Sequence, residues 1–303
     1  MSIEKVRTVG KNRATMPLSD FVLKDGLFGP PADEFYVDGN VLVTGRGTAS
    51  HPFKTLAEAI TASDASITLA ANRFWARRNR IYVVGDTLTE TLVKFPTKCD
   101  IIGCGSYDAN TMPGLVGHHV PIGESYGTRW FNFKFNSVAL AAPIFTLTSA
   151  SSGMEFHGCI FDGNSGTMTI GIQATAHPGL VVNDCDFVGT FVTSYMTFGT
   201  GQAGRTRITN NRMLGATAIG IVAGSGMTSS WHSLIDNNII YAVGRTIDDD
   251  SDLFFVTNNR LMTDANIATT TAGYDFLLAR SSGNILTGDS GVAAEVPFAV
   301  DAE

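Results

Sequence analysis

The sequence predicts an all-β protein folded as a single-stranded right-handed parallel β-helix, a solenoid with an N-terminal capping helix and an extended N-terminal arm. Three observations predict it: a repeat of about 26 residues, alternation of apolar and polar residues within each repeat, and turn residues at fixed places between the alternating runs. Composition agrees. Of 303 residues, 32 are glycine and only 16% are charged, which suits many short strands and turns better than a helical bundle.

The repeat starts at residue 130. Its pattern is an apolar residue, two residues, a small or Asn-like residue, one residue, then a second apolar residue. The copies are Trp130/Phe133/Phe135, Phe156/Cys159/Phe161, Val182/Cys185/Phe187, Ile208/Asn211/Met213 and Leu234/Asn237/Ile239, spaced 26 residues apart. Val256/Asn259/Leu261 and a degenerate Arg280/Gly283/Ile285 follow at shorter steps, and Ile101/Cys104/Ser106 precedes them across a long loop at residues 107–127. Segments such as Arg207-Ile208-Thr209 alternate with period two, the strand period, and not with the 3.6 period of helical repeats. A second apolar strand follows in several units: Ile170 and Ile172, Met196 and Phe198, Ile219 and Ile221. Short strands stacked in register, several per turn, make a parallel β-helix. Asn210-Asn211, Asp236-Asn237-Asn238 and Asn258-Asn259 fit its corners, because Asn tolerates the left-handed backbone that a sharp bend requires.

Residues 1–34 do not fit the repeat and are read as an arm and linker. Phe21, Val22, Leu23, Leu27 and Phe28 are its apolar anchors, and Gly29-Pro30-Pro31 separates it from the solenoid at 35–303. A net charge of −7 argues against a phosphate-binding surface, so no nucleic-acid partner is expected. Met1 to Asp20 has no apolar run of signal-peptide length, and no stretch is long enough to cross a bilayer; synthesis in a cytoplasm without export or membrane insertion is expected. Cys99, Cys104, Cys159 and Cys185 show no metal-type spacing. Cys159 and Cys185 occupy equivalent places on neighbouring coils and are read as buried thiols.

The front end reads Phe35-Tyr36-Val37-Asp38, then His51-Pro52-Phe53-Lys54-Thr55-Leu56-Ala57-Glu58-Ala59-Ile60, then Ile81-Tyr82-Val83-Val84-Gly85-Asp86-Thr87-Leu88-Thr89-Glu90. This resembles the entry to pectate-lyase-like right-handed β-helix proteins over roughly residues 35–288. The resemblance implies an amphipathic helix at about 53–62 closing the mouth of the solenoid, with Leu56, Ala59 and Ile60 on its buried face. In architecture the chain is most like bacteriophage virion β-helix proteins of the decoration, spike or tail type. That implies a structural virion surface protein, a homotrimer anchored to a capsid or tail protein through residues 1–34, with a host surface glycan as a further partner. The alternatives are a polysaccharide lyase or glycoside hydrolase of the tailspike depolymerase type, and a non-catalytic glycan-binding scaffold.

No catalytic set and no cofactor are expected. The hydrolase pattern of the resembling superfamily, NTD…DD…GHG…RIK, is matched only by Asp248-Asp249-Asp250, and Gly117-His118-His119 falls in the long loop without a following glycine. Asp248, Asp249, Asp250 and Asp252 are the weak metal candidates, since clustered carboxylates can share a hard cation. The competing reading is a solvated acidic turn. His157 is read as a surface group rather than an acid–base residue, and Arg207, Arg212 and Arg260 are weighed as a basic site against structural pairing. Arg212, one repeat after Asp186, is expected to pair with it across coils.

Overall fold

The computed structural model describes residues 31–69, 78–85, 87–105, 111–136, 141–202, 204–228, 232–264, 274–275, 280–288 and 293–295. Of the arm expected over 1–34, residues 1–30 lie outside the described residues.

Among the described residues the strands assemble into a ten-stranded and a fourteen-stranded sheet, with one small extra pair. In the first sheet each strand pairs in parallel with its equivalent one coil later: Pro31–Asp38 (β1), Arg78–Val84 (β2), Cys99–Gly103, Arg129–Phe131, Glu155–His157, Val181–Asn183, Arg207–Thr209, Ser233–Asp236, Phe254–Thr257 and Ser281–Ser282. Alternation decides which side chain turns inward. Ile81, Ile101, Trp130, Phe156, Val182, Ile208, Ile235 and Val256 are all buried and stand in register, with the half-buried Phe35 of β1 opposite Ile81.

The second wall stacks Leu115, Phe135, Phe161, Phe187, Met213, Ile240, Leu261 and Leu286 in the same way. Two long strands, Ile160–Ala174 and Asp186–Phe198, bend out of this wall through shifts of register and form a third, where Ile172, Met196, Ile221 and Ile247 face inward. Gly163 sits at that bend, where a Cβ would come within 2.5 Å of the Thr190 carbonyl. All the walls are parallel except at the end, where Ala293–Glu295 runs antiparallel to Ile285–Thr287. The architecture is thus β-helix-like.

The corner between the first and second walls explains the Asn-rich sequence. Asn132, Gly158, Asp184, Asn210, Asn237, Asn258 and Gly283 all have φ between 53° and 65°. That is the left-handed region, open to Gly and tolerated by Asn and Asp. The next residue in each coil turns inward: Phe133, Cys159, Cys185, Asn211, Asn238, Asn259 and Asn284, all but fully buried. Both Asn residues of a pair are therefore needed, one to bend the chain and one to fill the corner.

The register corrects three sequence assignments. The fifth copy is Ile235/Asn238/Ile240, one residue later than Leu234/Asn237/Ile239, because that coil spans 27 residues. Leu234 and Ile239 are only partly buried. The last copy is likewise Ser281/Asn284/Leu286 rather than Arg280/Gly283/Ile285. Both slips arise where neighbouring residues each satisfy the apolar or Asn pattern, so only strand pairing distinguishes them. The earliest copy is not Ile101/Cys104/Ser106. Cys104 is exposed, Ser106 lies outside the described residues, and the partner of Ile101 within the coil is Leu115. The segment 107–127 is accordingly not simply a projecting loop: Gly114–Val116 is a wall strand, and His119 is buried with a bridge to Phe145.

The capping helix α1 spans Leu56–Leu69, extending beyond the expected 53–62. Leu56, Ala59 and Ile60 are its buried face, as expected. Thr55 and Glu58 form a reciprocal capping box, with Thr55 N–H donating to Glu58 Oε2 at 3.1 Å and Glu58 N–H to Thr55 Oγ1 at 3.3 Å. β1 is the edge of the first sheet and begins at Pro31, so residues 31–34, assigned to the arm from sequence, are part of the sheet. An edge strand can begin with proline, because it needs no donor there.

Candidate functional site

The acidic run divides once it is folded. Asp249 faces inward and is 2% exposed. Its carboxylate accepts from Ser251 N–H at 3.1 Å, from the Ser251 hydroxyl, and from Phe254 N–H at 3.2 Å, closing the turn between walls. Burial raises its pKa, and these hydrogen bonds offset that only in part. Asp252 sits at the same turn with φ 55°. The outward members are Asp248 and Asp250, joined by Asp275 from the next coil, where Asp248 and Asp275 are register partners. One carboxylate oxygen from each of Asp248, Asp250 and Asp275 lies within 4.8 Å of the others.

The set that could share a cation is therefore Asp248, Asp250 and Asp275, not the four residues read from the sequence. Arg245 already compensates it, pairing with Asp248 at 2.7 Å and Asp275 at 3.3 Å. Sequence reasoning missed Asp275 and Arg245. The signal was present, because Asp275 stands one coil-length after Asp248, but it is visible only once coils are aligned.

Several other ionisable groups are bound within or between coils. Asp100 takes two bonds from Arg129, Nε at 2.7 Å and Nη2 at 2.8 Å, and a third from Arg78 at 3.0 Å. Arg212 forks onto Asp186 at 2.8 and 2.5 Å, the pair expected from its repeat position. Lys134 meets Asp162 at 2.9 Å. His157 hydrogen-bonds Glu155 at 2.9 Å and stacks on Phe131 with ring centroids 5.1 Å apart. Burial works against the Glu155 charge, but the His157 contact outweighs it and holds the carboxyl low. Glu90 accepts from Leu56 N–H at 2.7 Å and Ala57 N–H at 3.0 Å, filling the helix N-terminus with the chain's own carboxylate. Burial raises its pKa, and those two bonds recover part of the cost.

Two histidines are buried. His119 Nδ1 accepts from Leu92 N–H at 3.2 Å, which places the proton on Nε2, and burial pushes its pKa down to about 3. His177 is pushed down to about 4, again mainly by burial. His118 bonds Thr146 at 3.1 Å. The four cysteines are free thiols, and Cys185 Sγ accepts from Cys159 N–H at 3.4 Å. Burial raises the Cys185 pKa well above that of an ordinary thiol, which opposes thiolate chemistry. No helix among the described residues is long and apolar enough to cross a membrane.

No family model matches the chain, and no curated protein matches it. Among solved structures it is similar to the Dettilon tailspike protein, at 12% identity and a TM-score of 0.40 over 96% of this chain. The chain spans 63% of that protein's length.

Proposed function

We propose that this chain is a structural surface protein of a bacteriophage virion, a right-handed parallel β-helix of the pectate-lyase-like kind, anchored through its N-terminal arm and assembled as a homotrimer. The right hand is supported by the general preference of parallel crossovers, about 98% of which are right-handed. The observation that carries a structural role is the engagement of the charged groups: Asp100, Asp186, Glu155, Asp249 and Glu90 each hold a coil, a turn or the cap in place. An acid–base pair for glycan cleavage needs carboxylates facing substrate with their pKa values set apart. These carboxylates face other parts of the chain. A metal-assisted lyase is the second reading, and it rests on Asp248, Asp250 and Asp275.

Placement of the anchor follows from the entry point. The chain joins the stack through β1, at the sheet edge beside the helix-capped end, so residues 1–30 attach there. Deleting residues 1–30 keeps β1 intact. The truncated protein should remain folded by circular dichroism and lose co-sedimentation with phage particles. Undiminished binding would move the anchor to the solenoid flank. Release of reducing ends from a capsular or pectin-like glycan, abolished by Asp248→Asn with Asp250→Asn and Asp275→Asn, would instead establish the enzyme reading.

A further inference from the structure

The two ends of the stack are closed differently. At the entry end α1 puts Leu56, Ala59 and Ile60 into the core. At the other end, among the described residues, a reversing strand covers only the second wall, Ala293–Glu295 running along Ile285–Thr287. The first sheet stops at Ser281–Ser282, which pairs with Val256 and Thr257 on its inner side. A row of buried amides stops there too. Asn211, Asn238 and Asn259 each donate a backbone N–H and a side-chain hydrogen to the Oδ1 of the Asn one coil later, ending on Asn284. Asn284 has no such successor among the described residues, and its side chain donates back to the Val256 carbonyl at 2.7 Å. Its N–H and second amide hydrogen are left over at a residue 1% exposed. Buried donors are normally met, so an acceptor belongs at this mouth.

We infer that residues 296–303 close the mouth as an extended strap crossing from the second wall toward the first. Ala294 lies opposite Leu286, an inward residue that is 7% exposed where Leu261, one coil earlier, is fully buried. Strand alternation then puts Val296, Phe298, Val300 and Ala302 on the same side as Ala294, over the core. Glu295, Pro297, Ala299, Asp301 and Glu303 fall on the other side. Every bulky branched or aromatic side chain of the strap thus meets the core, and every charge meets water. Pro297 fits an outermost strand, which needs no further donor. Counting on from the pairing of Glu295 with Ile285 brings residue 296 beside Asn284, where a strap carbonyl accepts the leftover hydrogens. The strap also blocks the edge at Ser281–Ser282, which would otherwise template a strand of another chain. This closure needs only the stack of coils and holds whether or not the protein belongs to a virion.

Residue-resolved hydrogen exchange on the full chain tests it. The Asn284 amide should be protected like those of Asn238 and Asn259. Phe298→Asp, a charge on the core side, should speed exchange at Leu261, Asn284 and Leu286 roughly tenfold or more. Ala299→Asp, the same charge on the outer side, should leave all three unchanged. A chain ending at Glu295 should reproduce the Phe298→Asp pattern and leave Ile81 and Ile101, at the helix-capped end, as they were. Free exchange at Asn284 in the intact chain would overturn the proposal, as would equal behaviour of the two Asp variants. Protection of Asn284 that appears only as protein concentration rises would give the mouth to a second copy and overturn it as well.

Discussion

The coils before residue 190 and those after it build the same corner from different materials. In the first group the interior is aromatic. Trp130, Phe133, Phe135, Phe145, Phe156 and Phe161 pack edge to face or offset, and Phe161 stacks on Phe187 with centroids 4.6 Å apart. In the second group the corner carries a ladder of buried amides. Asn211, Asn238 and Asn259 each donate to a carbonyl in the coil before, Val182, Ile208 and Ile235, and to the Oδ1 of the next Asn. The same Oδ1 atoms accept the backbone N–H of the preceding rung, from Cys185 to Asn259. The aromatic coils gain stability from area and leave Trp130 Nε1 and His119 Nε2 without hydrogen-bond partners. The ladder coils bury fewer aromatics, Phe191, Tyr195, Phe198 and Phe254 among Ile, Val, Leu and Met, and their corner gains stability from amides that are fully engaged. A solenoid can change its core chemistry from coil to coil because each coil packs only on its neighbours.

The sharpest test of this contrast is Asn238→Leu. It removes the partner of the Asn211 N–H, of one Asn211 Nδ2 hydrogen and of the Ile208 carbonyl, each worth about 1–3 kcal/mol, so a loss of roughly 3–6 kcal/mol is expected by chemical denaturation. A loss below about 1 kcal/mol would show the ladder to be decoration. Phe187→Ala, at the end of the aromatic stack, should cost about 3–5 kcal/mol by the same measurement.

Acid should separate the halves next. An unfolded histidine titrates near 6.5. His119 and His177 have folded values of about 3 and about 4, and both lie in the aromatic half. Below pH ~6.5 the unfolded chain takes up protons that the folded chain refuses, so stability is whole above that pH and falls toward pH 4. The loss should reach on the order of 3 kcal/mol for His177, and hydrogen exchange at pH 4.5 should open the aromatic coils before the ladder coils. Equal exchange in both halves would count against the buried histidines as the cause.

The smallest effect should come from Cys185→Asn, which extends the ladder one rung upward. Its amide would reach the Phe156 carbonyl and the Cys159 N–H, where the thiol now stands, and should stabilise by about 1 kcal/mol. Destabilisation would mean that the aromatic coils leave no room for an amide.

Much of this was legible from the sequence. Alternation identified the strands, the recurring apolar triplets identified Trp130, Phe156, Val182 and Ile208 as one inward column, and the Asp186–Arg212 pair followed from its repeat spacing. Those signals are local or strictly periodic, and period two with a fixed step leaves few alternatives. What escaped was whatever depended on a coil of unequal length. Leu234 and Ile235 are both apolar, and Asn237 and Asn238 are identical in type, so only the pairing of Arg207 with Leu234 decides that Ile235 and Asn238 turn inward. The same holds for the acidic group. Asp248, Asp249 and Asp250 are consecutive in sequence, yet alternation sends Asp249 into a turn, and the register brings Asp275 and Arg245 to the other two. Composition and period determined that the chain would stack coils. Which side chains meet across the stack was decided by tertiary structure alone, because a one-residue change in coil length exchanges the two faces of every strand that follows it.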